Sequence, residues 1–336
     1  MTKQENAYNS MQTDETTEHG GEQSARNNAN KIGSMQTRKK QQTIFIVAMM
    51  FIPIAYWLYQ WLYINGTTIA MAFQNNDGAF SLENFVRVKN LLTNKQGGLQ
   101  LVWSLKNTIK TFFCTELIGV PISLVMSYFI YKQIRGYKFF RIVFYLPHII
   151  PGIVLITVFK QLLSPLGPFT ALCNNIGIVL PEEGLLHTTS TAMNTIIFYC
   201  IWTTACANIL FYSSMSRIPP ELIEVGKLEG LQLFKELIYV VMPLIWPTFS
   251  TTIVLDLTGI LNAGGPVLLF GVNDVVMKAR ATTLPYWFFS QVYDGGISGI
   301  GSYGVMSCVG LMFTAISVPF TLFIRYLLNK VETTEY

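Results

Sequence analysis

The sequence predicts an all-α membrane protein with six transmembrane helices, its N- and C-termini in the cytoplasm, and a helical cytoplasmic loop. Three observations lead there. Of 336 residues, 51% are hydrophobic and only 12% are charged, about half the ~25% charged share of an average soluble domain. The apolar residues gather into runs near the ~20 residues that cross a bilayer as a helix. The basic residues cluster between alternate runs, as they do on the cytoplasmic side of membrane proteins.

The elements follow in order. Residues 1–42 are polar, hold almost no large apolar side chain, and read as a disordered cytoplasmic tail. Arg38-Lys39-Lys40 anchors the first span, Thr43–Ile64. The segment Asn65–Lys106 is external, with room for a small helix or two, and Asn65-Gly66 reads as a turn. The second and third spans are Thr108–Tyr131 and Phe140–Phe159. Between them lie Lys132, Arg135 and Lys138. Pro147 and Pro151 predict a kink in the third span. The loop Leu162–Ala192 is external, the fourth span is Met193–Met215, and the fifth is the short run Leu244–Leu261. The Gly-rich loop Asn262–Ser302 carries Leu284-Pro285-Tyr286-Trp287-Phe288-Phe289, an interfacial helix with its aromatics at headgroup level. Gly304–Leu327 is the last span. The membrane-spanning domain is thus 43–331, with a short tail at 332–336. Fifteen of the 23 Lys and Arg fall in the N-terminal tail, the second–third and fourth–fifth loop regions and the C-terminus, which puts those segments inside. Membrane topology accounts for the net charge of +4, and no nucleic acid is called for.

Ile218–Pro247, between the fourth and fifth runs, is the most informative stretch. It holds four Glu, two Gly and four Pro among helix-forming apolar residues. It is too acidic for lipid and too periodic for a plain linker, and it reads as a docking surface for another protein. Pro219 and Pro220 suit a helix start. Glu221 and Glu224 fall in the first turn, where they complement the helix dipole. Gly230 then breaks the helix and lets a second one run from Leu231 to Val241 at an angle.

Several chemistries are excluded. The one Gly-Lys, Gly226-Lys227, has Leu228 where a P-loop needs Ser or Thr and Glu221 where it needs Gly. His148 and His187 lack partners at metal spacing, Ser298 is followed at once by Gly299, and the five cysteines form no CxxC pair. Hydrolase chemistry, a metal site and a nucleotide cofactor in this chain are therefore not expected. Glu116 and Asp256 are acids inside spans, where a carboxylate is costly and points to function. No chain of acids suggests a proton relay, which argues against an ion-driven symporter.

The loop resembles the EAA motif of ABC importer permeases: Pro219, Glu221, Leu222, Glu224, Gly230 and Pro243 stand at matching places, and the thirteen-residue step from Gly230 to Pro243 is kept. Ile223, Val225, Gly226, Glu229 and Leu231 depart from the family residues. Phe80-Ser81-Leu82-Glu83-Asn84-Phe85, Trp103-Ser104-Leu105-Lys106-Asn107-Thr108, Gly264-Gly265-Pro266 and Thr283-Leu284 with Tyr286 and Phe289 resemble its sugar-importer branch, in the same order. The resemblance implies a plasma-membrane permease subunit of a prokaryotic importer. Its coupling loop would be 218–243, with ATPase contacts through Glu221, Glu224, Gly226, Glu229, Gly230 and Pro243. The implied partners are a second permease, two ATPase subunits that hold the ATP and Mg, an extracellular solute-binding protein and a carbohydrate. Asp256 and Asn262 from the fifth span and its end, with Trp202 and Asn208 from the fourth, are the candidate lining of the substrate pathway, because polar groups in spans prefer the bundle interior to lipid. Amino acids, peptides or oxoanions are the other solute classes. A secondary transporter, or a membrane protein that docks a cytoplasmic regulator without transporting anything, are readings of a different kind.

Overall fold

The computed structural model describes residues 40–332 except 76–77, 94–98, 189, 208, 264, 271–280 and 294–302. The N-terminal tail, Asn208 and Gly264 therefore lie outside the described residues. Five helices are long and apolar enough to cross a membrane: α1 (Lys40–Ala72), α3 (Gln100–Tyr131), α7 (Ala192–Met215), α9 (Leu233–Thr258) and α11 (Tyr303–Glu332). Between them come α2 (Glu83–Thr93), α4 (Tyr137–Ile149), α5 (Gly152–Leu162), α6 (Pro168–Asn175), α8 (Pro220–Leu228) and α10 (Leu284–Tyr293).

The chain divides into two compact units, Met1–Thr67 and Thr68–Tyr336. In the first, the α1 side chains are exposed around the whole helix, Phe51 and Ile52 by 67% and 73%, so its apolar surface suits lipid or another protein. The helix runs eight residues past Ile64 and takes in Asn65-Gly66. The expected turn is absent because the Asn65 side chain turns back on the helix, its Nδ2 donating to Trp61 O at 2.7 Å, and Thr67 Oγ1 likewise donates to Tyr63 O at 2.8 Å. The side chains that would cap a turn thus stay within the helix.

In the second unit the core has three clusters. Phe159, Met193, Ile196, Tyr199 and Phe270 form one; Val120, Tyr128, Phe211, Met215 and Ile245 a second; Val88, Leu101, Trp287, Val305 and Val309 a third. α3 packs along α7, and α9 along α11. At the α3–α7 crossing, a Cβ on Gly119 would sit 3.1 Å from Thr204. A small residue there lets the backbones approach closely, as membrane helix contacts require. Trp246 Nε1 donates to Leu328 O at 3.2 Å and ties α9 to the end of α11.

Three further expectations change. The third run is not one helix: α4 and α5 meet at 108°, with Ile150 and Pro151 both extended at the break. Pro151 cannot continue a helix and biases the residue before it away from the helical region. The fifth span starts at Leu233, not Leu244, and absorbs the separate second loop helix expected at Leu231–Val241. A π-helical turn over Leu237–Val241 stands directly before Pro243. It accommodates the missing proline donor without ending the helix. The Leu284–Phe289 stretch is helical, but Leu284, Tyr286 and Trp287 are buried in the core rather than laid at an interface.

Candidate functional site

α8 opens as its two prolines predict: Pro219 is extended and Pro220 occupies the first helical position, where a missing N–H costs nothing. The helix ends at Gly230, whose φ of +76° is left-handed. Gly230 N–H donates to Lys227 O at 3.0 Å and Leu231 N–H to Gly226 O at 3.1 Å. This pair of bonds is the Schellman closure that a C-terminal glycine makes possible. Gly226 is buried, with Leu231 and Val240 3.4 Å from where its Cβ would be, so the loop folds back on the start of α9 at this position. Glu221, Glu224 and Glu229 all face outward. Five of the six loop residues thus lie along α8 and its C-terminal turn. Pro243 stands further along, inside α9.

The loop is also tied to the core by a contact that the sequence did not announce. Lys132, one residue past α3, puts its Nζ 2.6 and 2.8 Å from the two carboxylate oxygens of Glu236. Both side chains are enclosed, at 13% and 3% exposure. Tyr128 Oη donates to Leu233 O at 2.9 Å, and Lys132 Nζ lies 5.9 Å from the Tyr128 ring centre. A 1090 Å³ cleft opens beside this junction, lined by Lys132, Ile223, Lys227, Gln232 and Phe234 among others. Glu236 was legible as one more loop acid, but a pair 104 residues apart leaves no mark in a local pattern.

Within the bundle, Glu116 lies in a π-helical turn, Thr115–Gly119, inside α3. Such turns often mark functional positions. Its Oε2 is enclosed and finds no hydrogen-bond partner among the described residues. Asp256 is half-buried and Asn262, on a short 3-10 turn, is exposed. Trp202 stacks on Phe159 at 6.3 Å and meets Tyr199 edge-on at 6.0 Å. Asp256 thus stands half-buried on α9, and Trp202 joins an aromatic cluster with Phe159 and Tyr199.

The motifs outside the loop have structural work. Asn84 Nδ2 reaches three carbonyls at the end of α1, Met71, Ala72 and Gln74, at 3.3, 3.2 and 2.8 Å. Ser104 Oγ and Asn107 Nδ2 donate to Thr282 Oγ1 and Thr282 O, both at 2.9 Å, and Leu284 N–H donates to Thr108 Oγ1 at 2.8 Å. The Ser104–Thr108 and Thr282–Leu284 segments thus hold each other in place.

A multi-span α-helical membrane protein with an acidic helical loop folded on its core is the class this geometry defines. Residues 119–333 match the binding-protein-dependent transport system inner membrane component; the chain belongs to this family of ABC importer permeases and is a multi-pass plasma-membrane protein. It is 27% identical over 229 residues to the multiple sugar-binding transport system permease protein of Streptococcus mutans, covering 66% of this chain and 77% of that one. It is 24% identical over 272 residues to the sn-glycerol-3-phosphate transport system permease protein of Escherichia coli, covering 80% and 88%. The fold superposes with a TM-score of 0.73 on a chain of a bacterial ABC transporter that imports the acidic polysaccharide alginate, at 20% identity and covering 88% and 99% of the two chains.

Proposed function

We propose that this chain is the membrane-spanning subunit of an ATP-driven importer that moves a sugar or oligosaccharide delivered by an extracellular binding protein. Its partners are a second permease subunit and two ATPase subunits, which carry the ATP and Mg. The observation that carries the reading is the loop itself. Gly230 closes α8 by a left-handed turn, three glutamates remain outside it, and a buried ion pair joins its far side to α3. A rigid acidic knob on a stiff mount suits force transfer from a moving partner. ATPase closure would push α8, the Lys132–Glu236 junction would pass the push to α3 and α9, and the bundle would rock between outward- and inward-facing states. Asp256 and Asn262, with Trp202 and Asn208 from the fourth span of the sequence, are proposed to line the pathway.

The carbohydrate assignment is supported by the sugar permease relative and by the external motifs. The glycerol-phosphate permease relative keeps a polyol phosphate as the second reading. The test uses the complete importer in liposomes, with uptake of labelled neutral oligosaccharides and of glycerol 3-phosphate measured side by side. Glu229→Lys and Gly230→Pro are expected to leave the permease in the membrane while abolishing ATP hydrolysis stimulated by loaded binding protein. Normal ATPase stoichiometry together with normal stimulation in both variants would remove the coupling role.

A further inference from the structure

We propose that the groove between the end of α3 and the start of α4 binds one anionic phospholipid of the cytoplasmic leaflet. The groove holds 350 Å³ and is walled by Met126, Phe129, Ile130, Phe140 and Phe144, with Arg135 at its mouth. Phe140 and Phe144 stack at 6.0 Å. The pocket size is at the small end of ligand sites, and its walls offer hydrocarbon rather than hydrogen-bond partners, which suits an acyl chain and not a sugar.

The helix beside it starts at the cytoplasmic headgroup level, directly after the basic α3–α4 turn. α4 is 13 residues long, about 20 Å at 1.5 Å per residue, so it reaches only part-way through a hydrocarbon layer of about 30 Å and leaves α5 to complete the crossing. It turns away from α5 by 108°, and none of its residues is buried. Tyr137, Phe140 and Phe144 recur at helical spacing along the groove, and Lys138 and Arg141 accompany them. Aromatic and basic residues together in the first turns of an apolar helix are the pattern of a span end at the membrane–water interface.

Charge selects the headgroup. Arg135 and Lys138 are exposed, and neither joins an ion pair among the described residues. Arg141 is already engaged, 5.7 Å from the Tyr145 ring and 5.2 Å from the Tyr212 ring. Two free cations beside an acyl-sized groove fit a phosphate headgroup above a single chain, the arrangement by which basic pockets between membrane helices hold anionic lipids. The inference rests on the cytoplasmic placing of the α3–α4 turn and is independent of which solute is carried.

The test places a reporter in the groove of the assembled importer. Phe140→Trp, or Phe144→Trp if the first does not assemble, is reconstituted in phosphatidylcholine nanodiscs containing a minority of brominated lipid. The emission added over the unsubstituted protein is then followed. Brominated phosphatidylglycerol is expected to quench it at a several-fold lower mole fraction than brominated phosphatidylcholine, and Arg135→Gln with Lys138→Gln to erase the difference. Equal quenching by the two lipids means ordinary annular lipid and overturns the proposal. Absence of quenching by either means that protein covers the groove, and overturns it too. Native mass spectrometry of the unsubstituted complex supplies a readout free of mutation: one retained phosphatidylglycerol is expected, and its loss as readily as phosphatidylcholine would contradict the site.

Discussion

Asn84 serves three carbonyls at the end of α1 with one amide, and it is 4% exposed. Removing it leaves buried acceptors unmet, at about 1–3 kcal/mol. Asn84→Ala is expected to lower the detergent-solubilised unfolding temperature. Asn84→Asp should lower it further, because a carboxylate oxygen would then face carbonyl oxygens; an Asp variant as stable as wild type would rule out this role. Gly230 sets up a second contrast within the coupling loop. Its φ of +76° costs a side chain about 1–2 kcal/mol, although nothing stands within 4 Å of its Cβ position. Gly230→Ala should therefore weaken coupled ATP hydrolysis, Gly230→Asn less so, since Asn tolerates the left-handed region. Gly226→Ala should be the mildest, as its methyl would only touch Leu231 and Val240 at 3.4 Å. Stimulated phosphate release in the order Asn above Ala at position 230 checks the argument, and equal rates would refute the backbone explanation.

Among the helices, the Lys132–Glu236 pair gives a prediction of its own. Glu236 is 2% exposed, so Lys132→Met would strand a buried carboxylate at about 3–5 kcal/mol. If the pair is only structural, the reversed pair Lys132→Glu with Glu236→Lys should restore fold and coupling together. If its orientation also passes motion from α8 to α3, the reversed pair should restore assembly but leave substrate stimulation of ATP hydrolysis reduced. The reversal and both single variants, compared for retained ATPase subunits and for stimulation, separate the two. The helices show where the sequence was readable. Proline pairs and a glycine stop fixed the ends of α8, since those residues act through their own backbone. The break between α4 and α5 was anticipated as a kink from Pro147 and Pro151, but its 108° angle depends on what α4 packs against. The π turn that carries α9 past Pro243 and the pairing of Lys132 with Glu236 arise from tertiary packing, and no local periodicity encodes them.

For the whole molecule, the fate of the bent pair decides the topology. Five spans alone would put the basic N-terminal tail and the C-terminal Lys330 on opposite sides of the membrane. If α4 and α5 together cross, both termini face the cytoplasm, and so do Lys132–Lys138 and the loop carrying Arg217, Lys227 and Lys235. If the pair dips in and returns, that loop lands outside with its basic residues, against the usual bias of charge, and the glutamates of α8 could not meet an ATPase. Gln232 is exposed just after the loop turn, so it reports this choice directly. In a variant whose five cysteines are replaced, Gln232→Cys is expected to react with a membrane-impermeant thiol reagent only after the cells are opened. Val179→Cys, exposed in the segment between α6 and α7, should react in intact cells. Labelling of Gln232→Cys from outside would make the bent pair a re-entrant loop and withdraw the coupling role from α8, whatever the uptake assays report.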